Sequence, residues 1–190
     1  MVDYEEAIKG IINFKKTFDN IDPKIPKKLL SYLGECYVLK ELENRNFLVK
    51  HKGGQAGYDI LIQNNNKRIE VRTSLLKNEG LYPQDIMFYG WRVLEHKQSE
   101  DKFDYLIGVA MDENFEKPNF YIFTQKEALS VEDVKINRFQ KIKKKIHIFQ
   151  NLNDLKKAKE TRPQITTEYE MYINRNLNEF LDRWDKIKKE

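Results

Sequence analysis

The sequence predicts an α/β fold: a mixed central β-sheet flanked by helices, with a helical C-terminal extension. Three observations predict it. Two stretches near the start, residues 3–18 and from about Pro26 to Asn46, carry apolar residues at helical spacing. Two segments rich in β-branched residues, 58–63 and 67–73, flank Asn64, Asn65 and Asn66 and read as a β-hairpin. Two more strand-like runs, 103–111 and 119–124, follow before the pattern turns helical again. At 190 residues, 40% hydrophobic and 12% aromatic, the chain can fill one domain and an appendage. We place the domain at 1–160 and the extension at 161–190.

The first helix is marked by Ala7, Ile8, Ile11, Ile12, Phe14 and Phe18, and the stretch from Asp19 to Pro23 ends it. The second contains Leu-Leu-Ser-Tyr-Leu-Gly-Glu-Cys-Tyr-Val-Leu at 29–39, where Glu35 is the sole charge. A lone carboxylate on so apolar a helix must be paired, hydrogen-bonded, metal-coupled or neutralised. A bond to backbone or to an arginine such as Arg72 is the plain structural alternative. Residues 47–49 read as a short strand, and 50–57, with Lys52, as a basic glycine-rich loop. Such a loop lets backbone approach a phosphate closely, or simply connects two elements.

The hairpin is the informative stretch. A two-residue turn at Asn64-Asn65 pairs Gln63 with Asn66, Ile60 with Ile69 and Asp59 with Glu70. Opposed residues share a face, with Cβ atoms roughly 4.5–5.5 Å apart. Alternation sends Ile60, Ile62, Ile69 and Val71 to the core, and Asp59, Arg68, Glu70 and Arg72 to the other face with Leu61. Two carboxylates held that close repel unless a cation lies between them, and hard oxygen donors suit Mg²⁺. The competing readings are a half-solvated charged face and a three-residue turn that sets Asp59 opposite Val71.

Beyond the hairpin we expect a helix over 83–89, then a short strand or loop over 91–94. Tyr89, Trp91, Arg92 and Lys97 suit base stacking beside phosphate, or the closing of one end of the core. Residues 103–111 alternate little, as a buried central strand does. A turn at 112–114, the strand 119–124 and a short helix to Leu129 follow. Lys135, Arg138, Lys141, Lys143, Lys144 and Lys145 put six cations in eleven residues, ahead of His147, Ile148 and Phe149. That segment is either a solvated face or a surface for a nucleic-acid backbone. His51, His96 and His147 lack ligand spacing and receive no role. After a break at Arg162-Pro163, Thr167 and Glu170 form a capping box. The last helix then places Tyr172, Ile173, Leu177, Phe180, Leu181 and Trp184 on one side, for packing in cis or on a second copy.

Composition narrows the setting. With 34 Lys+Arg against 30 Asp+Glu, the net charge of +4 permits a polyanionic partner without requiring one. A single cysteine, Cys36, excludes an intramolecular disulfide and a thiolate zinc cluster, and fits a reducing, cytoplasmic compartment. No apolar run has membrane length and the N-terminus does not read as a signal peptide, so no membrane association is expected.

Gly34-Glu35 on a helix, then a strand, then Gly57-Tyr58-Asp59, then Ile69-Glu70-Val71-Arg72, resembles the PD-(D/E)XK nuclease superfamily. That restriction-endonuclease-like group includes restriction enzymes, archaeal Holliday-junction resolvases and repair nucleases. The resemblance covers residues 27–124. It implies Mg²⁺-dependent hydrolysis of DNA phosphodiesters, with Mn²⁺ as a substitute. Asp59 and Glu70 would be direct metal ligands, the Val71 carbonyl a further one, and Glu35 an assistant from its helix. Lys52, Arg68 and the six cations of 135–145 would contact nucleic acid, and a homodimer would serve two strands. Two positions depart from the pattern. Tyr58 stands where the motif has proline, a variable position. Arg72 stands where lysine is usual; it can clamp phosphate, cannot act as a base, and can instead pair with Glu70 or Glu35 and quiet the site. Lys77 or Lys97 could substitute for the lysine. Beside the nuclease stand two other readings: a non-catalytic nucleic-acid-binding protein on the same fold, and an interaction subunit whose acids are salt-bridged to Arg68 and Arg72.

Overall fold

A computed structural model of the chain describes residues 3–18, 26–52, 57–76, 88–94, 103–129, 134–135, 142–149, 152–161 and 179–187. Asp3 starts helix α1 (Tyr4–Phe18), its Oδ1 accepting the amides of Glu5 and Glu6 at 3.0 and 3.1 Å. Helix α2 (Lys27–Asn44) ends in a left-handed cap. Asn46 has φ 63°, its amide donates to the Glu43 carbonyl, and the Phe47 amide donates to Leu42. That cap consumes Phe47, so the expected strand at 47–49 begins two residues late, as β1 (Val49–His51).

The hairpin of β2 (Ile60–Ile62) and β3 (Lys67–Leu75) forms in the expected register, Ile60 opposite Ile69. Its turn differs. The ladder stops at Ile62–Lys67, the left-handed residue is Asn66 (φ 55°), and Gln63 gives its amide to Leu48 instead of pairing with Asn66. Asn64 and Asn65 serve through their side chains, accepting the amides of Leu48 and Lys67. A four-residue loop keeps the same parity as a two-residue turn, so the faces come out as expected. Ile60, Ile62, Ile69 and Val71 are buried.

Five strands form one mixed sheet, ordered β1-β2-β3-β5-β6, with β5 at Tyr105–Met111 and β6 at Asn119–Thr124. Among these strands only β3 and β5 run parallel. β5 is buried along its whole length, as its unbroken apolar run requires. The period of two divides β5 and β6 between two cores. Ile107, Val109, Phe120 and Ile122 join Leu33, Leu39 and Leu42 of α2 and Ile8 of α1. Leu106, Ala110, Tyr121 and Phe123 join Trp91, Ile146, Ile148 and Phe180.

The second core is covered by a three-stranded sheet, β4-β8-β7, with β4 at Phe88–Leu94, β7 at Val134–Lys135 and β8 at Ile142–Phe149. Phe88 and Tyr89 are therefore strand residues, not the end of a helix; residues 83–87 lie outside the described ones. The strand wins because β8 supplies a complete antiparallel ladder, Phe88 against Phe149 through Arg92 against Lys145. Trp91 lies against Gly108 of β5, where a Cβ would come within 2.9 Å of the indole. The expected short helix is present as α3 (Gln125–Leu129), capped reciprocally by Thr124 and Glu127, and α4 spans Leu152–Thr161.

The C-terminal stripe does not continue as one helix. Thr167, Glu170, Tyr172, Ile173 and Leu177 lie outside the described residues. Phe180 and Asp182 instead bond the free edge of β6, Ile122 N–H to Phe180 O and Asp182 N–H to Phe120 O, both at 2.8 Å. Asp182 turns left-handed (φ 51°), and Trp184–Lys186 form one 3₁₀ turn. Phe180 thus enters the second core and Trp184 the first. Among the described residues no helix is long and apolar enough to cross a membrane.

Candidate active site

β3 outruns its neighbour. β2 pairs only with residues 67–69, so beyond Ile69 that edge of β3 has no strand partner among the described residues. Asp59 fills the gap. Its amide donates to the Ile69 carbonyl at 2.9 Å, and its Oδ2 accepts the Val71 amide at 2.8 Å. A carboxylate has replaced a main-chain acceptor, and the Val71 carbonyl faces the same edge. Lys52 holds β1 to this turn by donating its amide to the Asp59 carbonyl at 2.8 Å.

Glu70 and Arg72 follow on the same face of β3. Glu70 is buried, and its Oε1 is ion-paired with the Arg72 guanidinium. Arg72 also donates to the Val71 carbonyl at 3.4 Å. The pairing of Arg72 with Glu70, one of its two expected options, is the one the structure contains.

Glu35 arrives from α2, and Gly34 lets it arrive. A Cβ on Gly34 would collide with Thr73 Oγ1 and lie 3.1 Å from Thr73 Cβ, so α2 packs against β3 with no side chain between. Gly34→Ala is expected to cost about 1–3 kcal/mol by overpacking. Thr73→Ala in the same chain removes the colliding oxygen and should recover most of it. Urea melts of the two single variants and the double variant check this, and a neutral Gly34→Ala would refute the close approach.

The Glu35 partner is neither backbone nor Arg72. Its Oε2 lies 2.6 Å from His51 Nε2, with the Tyr32 ring edge-on to the imidazole at 5.7 Å. His51 is thus a strand residue of the site, not a loop residue without a role, and metal-ligand spacing is the wrong test for it. The usable signal is strand alternation: Val49 and His51, opposite Ile62 and Ile60, share the face on which α2 packs, and that is the face from which Glu35 comes.

Electrostatics tie the group together. Burial raises the Glu35 carboxyl above its ordinary value, opposed by the hydrogen bond to His51 and reinforced by the charge of Asp59. Burial also raises Asp59, opposed by the Val71 amide and the charges of Arg72 and His51. A carboxyl raised in the folded state keeps its proton longer there than in the unfolded chain. Charging these two acids therefore costs stability as pH rises through the carboxylate range, and a cation beside them offsets that cost.

No family model and no curated protein matches the chain. Among solved structures, that of a bacterial homing endonuclease, I-Ssp6803I, aligns with 66% of this chain and 79% of that chain, at 15% identity and a TM-score of 0.44. Likeness at that level leaves the geometry of the site to carry the functional reading.

The candidate donors along this stretch of β3 are oxygens: the Asp59 and Glu70 carboxylates and the Val71 carbonyl. Among the described residues no three His, Cys, Asp or Glu side chains group into a metal cage. Glu35 is engaged by His51, and Glu70 by Arg72. A closed cage is not what Mg²⁺ uses, since it commonly takes one or two carboxylates and keeps waters for the rest. Asp59 Oδ1 is engaged by no described residue, and a guanidinium already lies on the other two donors. In chemistry the set fits a hard cation.

The remaining candidates lie elsewhere. Arg68 is held by Asp104, with both its backbone amide (2.8 Å) and its Nε (3.2 Å) on Asp104 Oδ2. Lys135 lies in β7 opposite Ile142, and Lys143, Lys144 and Lys145 lie in β8 opposite Val134, Leu94 and Arg92. Arg138, Lys141, Lys77 and Lys97 lie outside the described residues. His147, Ile148 and Phe149 are buried, His147 stacked on Phe88 at 4.4 Å, so these three build core and not a binding surface.

Proposed function

We propose that this chain is a Mg²⁺-dependent endonuclease of the PD-(D/E)XK type that hydrolyses DNA phosphodiesters, in restriction, junction resolution or repair. The observation that carries the proposal is the linkage of three oxygen donors through residues 71 and 72 of β3: Asp59 accepts the Val71 amide, and Arg72 spans Glu70 and the Val71 carbonyl. A phosphodiester repels anionic nucleophiles, so hydrolysis needs charge neutralised and a water acidified. Asp59, Glu70 and the Val71 carbonyl would hold the Mg²⁺ ion, which would supply both. The chain supplies position. Val71 N–H fixes the Asp59 carboxylate on a rigid strand, and burial excludes competing water from Glu70. Arg72, once turned outward, offers a bidentate fork to a phosphate. Arg72 cannot take a proton from the attacking water. We assign that task to Glu35, whose carboxyl is raised by burial and whose Oε2 is held by His51. Lys52 and the cations of 135–145 would follow the DNA backbone, and a homodimer would bring one such site to each strand.

A second reading, a non-catalytic nucleic-acid-binding protein, is favoured by one observation, the neutralisation of Glu70 by Arg72. The interaction-subunit reading is weaker, because the Arg68 guanidinium is engaged by Asp104. Incubation of supercoiled plasmid and branched DNA with Mg²⁺ or Mn²⁺, against EDTA, separates the three. Cleavage that needs metal and disappears in Asp59→Ala is the expected result. DNA binding without cleavage would move the assignment to the second reading, and no salt-sensitive DNA binding at all would move it to the third.

A further inference from the structure

Arg72 spans the two groups of β3 that a metal ion would need. One arm of its fork pairs with Glu70 Oε1 and the other donates to the Val71 carbonyl at 3.4 Å. Both partners are oxygens that the proposed function gives to metal. The two ends of the ion pair differ sharply in surroundings: the Glu70 side chain is 9% exposed and that of Arg72 43%. The carboxylate is fixed, and the cation is the end with room to leave. A lysine at this position would place a single point charge, whereas the arginine fork can span a side-chain oxygen and a main-chain oxygen together.

We propose that Arg72 is the resident counter-cation of the site, which must release Glu70 and the Val71 carbonyl before a divalent ion can be held there, and which sets the affinity for that ion. This rests on the metal-dependent reading above. The physical reason is the cost of leaving a buried carboxylate without a cation. A chain that carries its own cation keeps Glu70 neutralised whenever metal is absent. The consequence is competition, since the apparent affinity for metal falls by the fraction of molecules in which Arg72 has let go. A DNA phosphate that attracts the released guanidinium would draw the same equilibrium toward release, as metal does, so metal and DNA should each tighten the binding of the other.

Titration calorimetry with Mn²⁺ and thermal melting with and without Mn²⁺ test this on the full chain. Arg72→Gln should bind Mn²⁺ at least about tenfold more tightly than the wild type. Without metal it should melt below the wild type, and saturating Mn²⁺ should close most of that gap. If Arg72→Gln does not fold without metal, Arg72→Lys carries the test, with an affinity between the two. Equal or weaker Mn²⁺ binding by these variants, with wild-type binding intact and lost in Asp59→Ala, would overturn the exchange and leave the metal site standing. No Mn²⁺ binding by wild type or variant would overturn both.

Discussion

Asp59→Asn is expected to fold as well as the wild type and to cleave DNA at least about a thousandfold more slowly in saturating Mg²⁺, a loss of about 4 kcal/mol in transition-state stabilisation. Two roles converge on this side chain, and the asparagine separates them. Oδ2 accepts the Val71 amide at 2.8 Å at the point where β2 has ended. An asparagine oxygen can accept the same hydrogen bond. What it cannot offer is the negative charge, which is the part a cation requires. Asp59→Ala removes both, leaving the Val71 amide without its acceptor, and should cost a further 1–3 kcal/mol or so of stability. Plasmid-nicking rates beside urea melts read the two roles in one set of samples. If Asp59→Asn keeps activity within tenfold of the wild type, the Asp59 charge does not serve the chemistry, and the role assigned to this edge of β3 is wrong.

Much of this site is legible in the sequence alone, for reasons that are local. The pairing of Ile60 with Ile69 follows from β-branched residues alternating with charge on both arms, because a one-residue slip would expose four core side chains. Glu35 is conspicuous because nothing else on its stretch of helix is charged, and a buried carboxylate requires a partner. The identity of that partner is not legible. His51 reaches Glu35 only after the Asn46 cap has delayed β1 and β1 has bonded to β2, two steps that depend on distant main chain. Phe88 and Tyr89 look helical from their neighbours for the same reason. Their strand exists by pairing with Ile148 and Phe149, about sixty residues away, and no local propensity announces that ladder. The turn shows the converse case. Asparagines do occupy it, yet two of them act through side-chain oxygens, which a rule based only on φ does not anticipate.

The C-terminal segment illustrates how an apolar stripe can be right about burial and wrong about shape. Phe180 and Trp184 are four residues apart, the spacing of one helical face, yet they enter two different cores, because residues 180–182 run along the edge of β6. Their burial is readable from composition. Their separation depends on β6 having an edge to offer.

Trp184→Ala should therefore be among the most destabilising single substitutions in the chain, at about 3–5 kcal/mol. Trp184 is buried, with the Phe120 ring at 5.1 Å and the Arg45 guanidinium over its face at 5.0 Å. Its side chain thus joins three pieces of sequence, the end of α2, the start of β6 and the C-terminal turn, and truncation leaves a void where all three meet. Two features limit relaxation into that void. The backbone of 180–182 is tied to β6 by two hydrogen bonds, and Lys186 is anchored to Glu127 at 3.0 Å, with its ammonium 4.4 Å from the Phe180 ring. For a chain of this size the loss corresponds to a fall in melting temperature of roughly 6–20 °C. Arg183→Ala is the matched control. Its bidentate pair with Asp185 is exposed, and solvent screening leaves such pairs little net effect on stability. Urea melts of the two variants at several protein concentrations decide the matter. A large, concentration-independent loss for Trp184→Ala alone means the segment docks on its own chain, as the β6 pairing requires. A loss that shrinks as protein concentration rises would mean that the contact belongs between two copies.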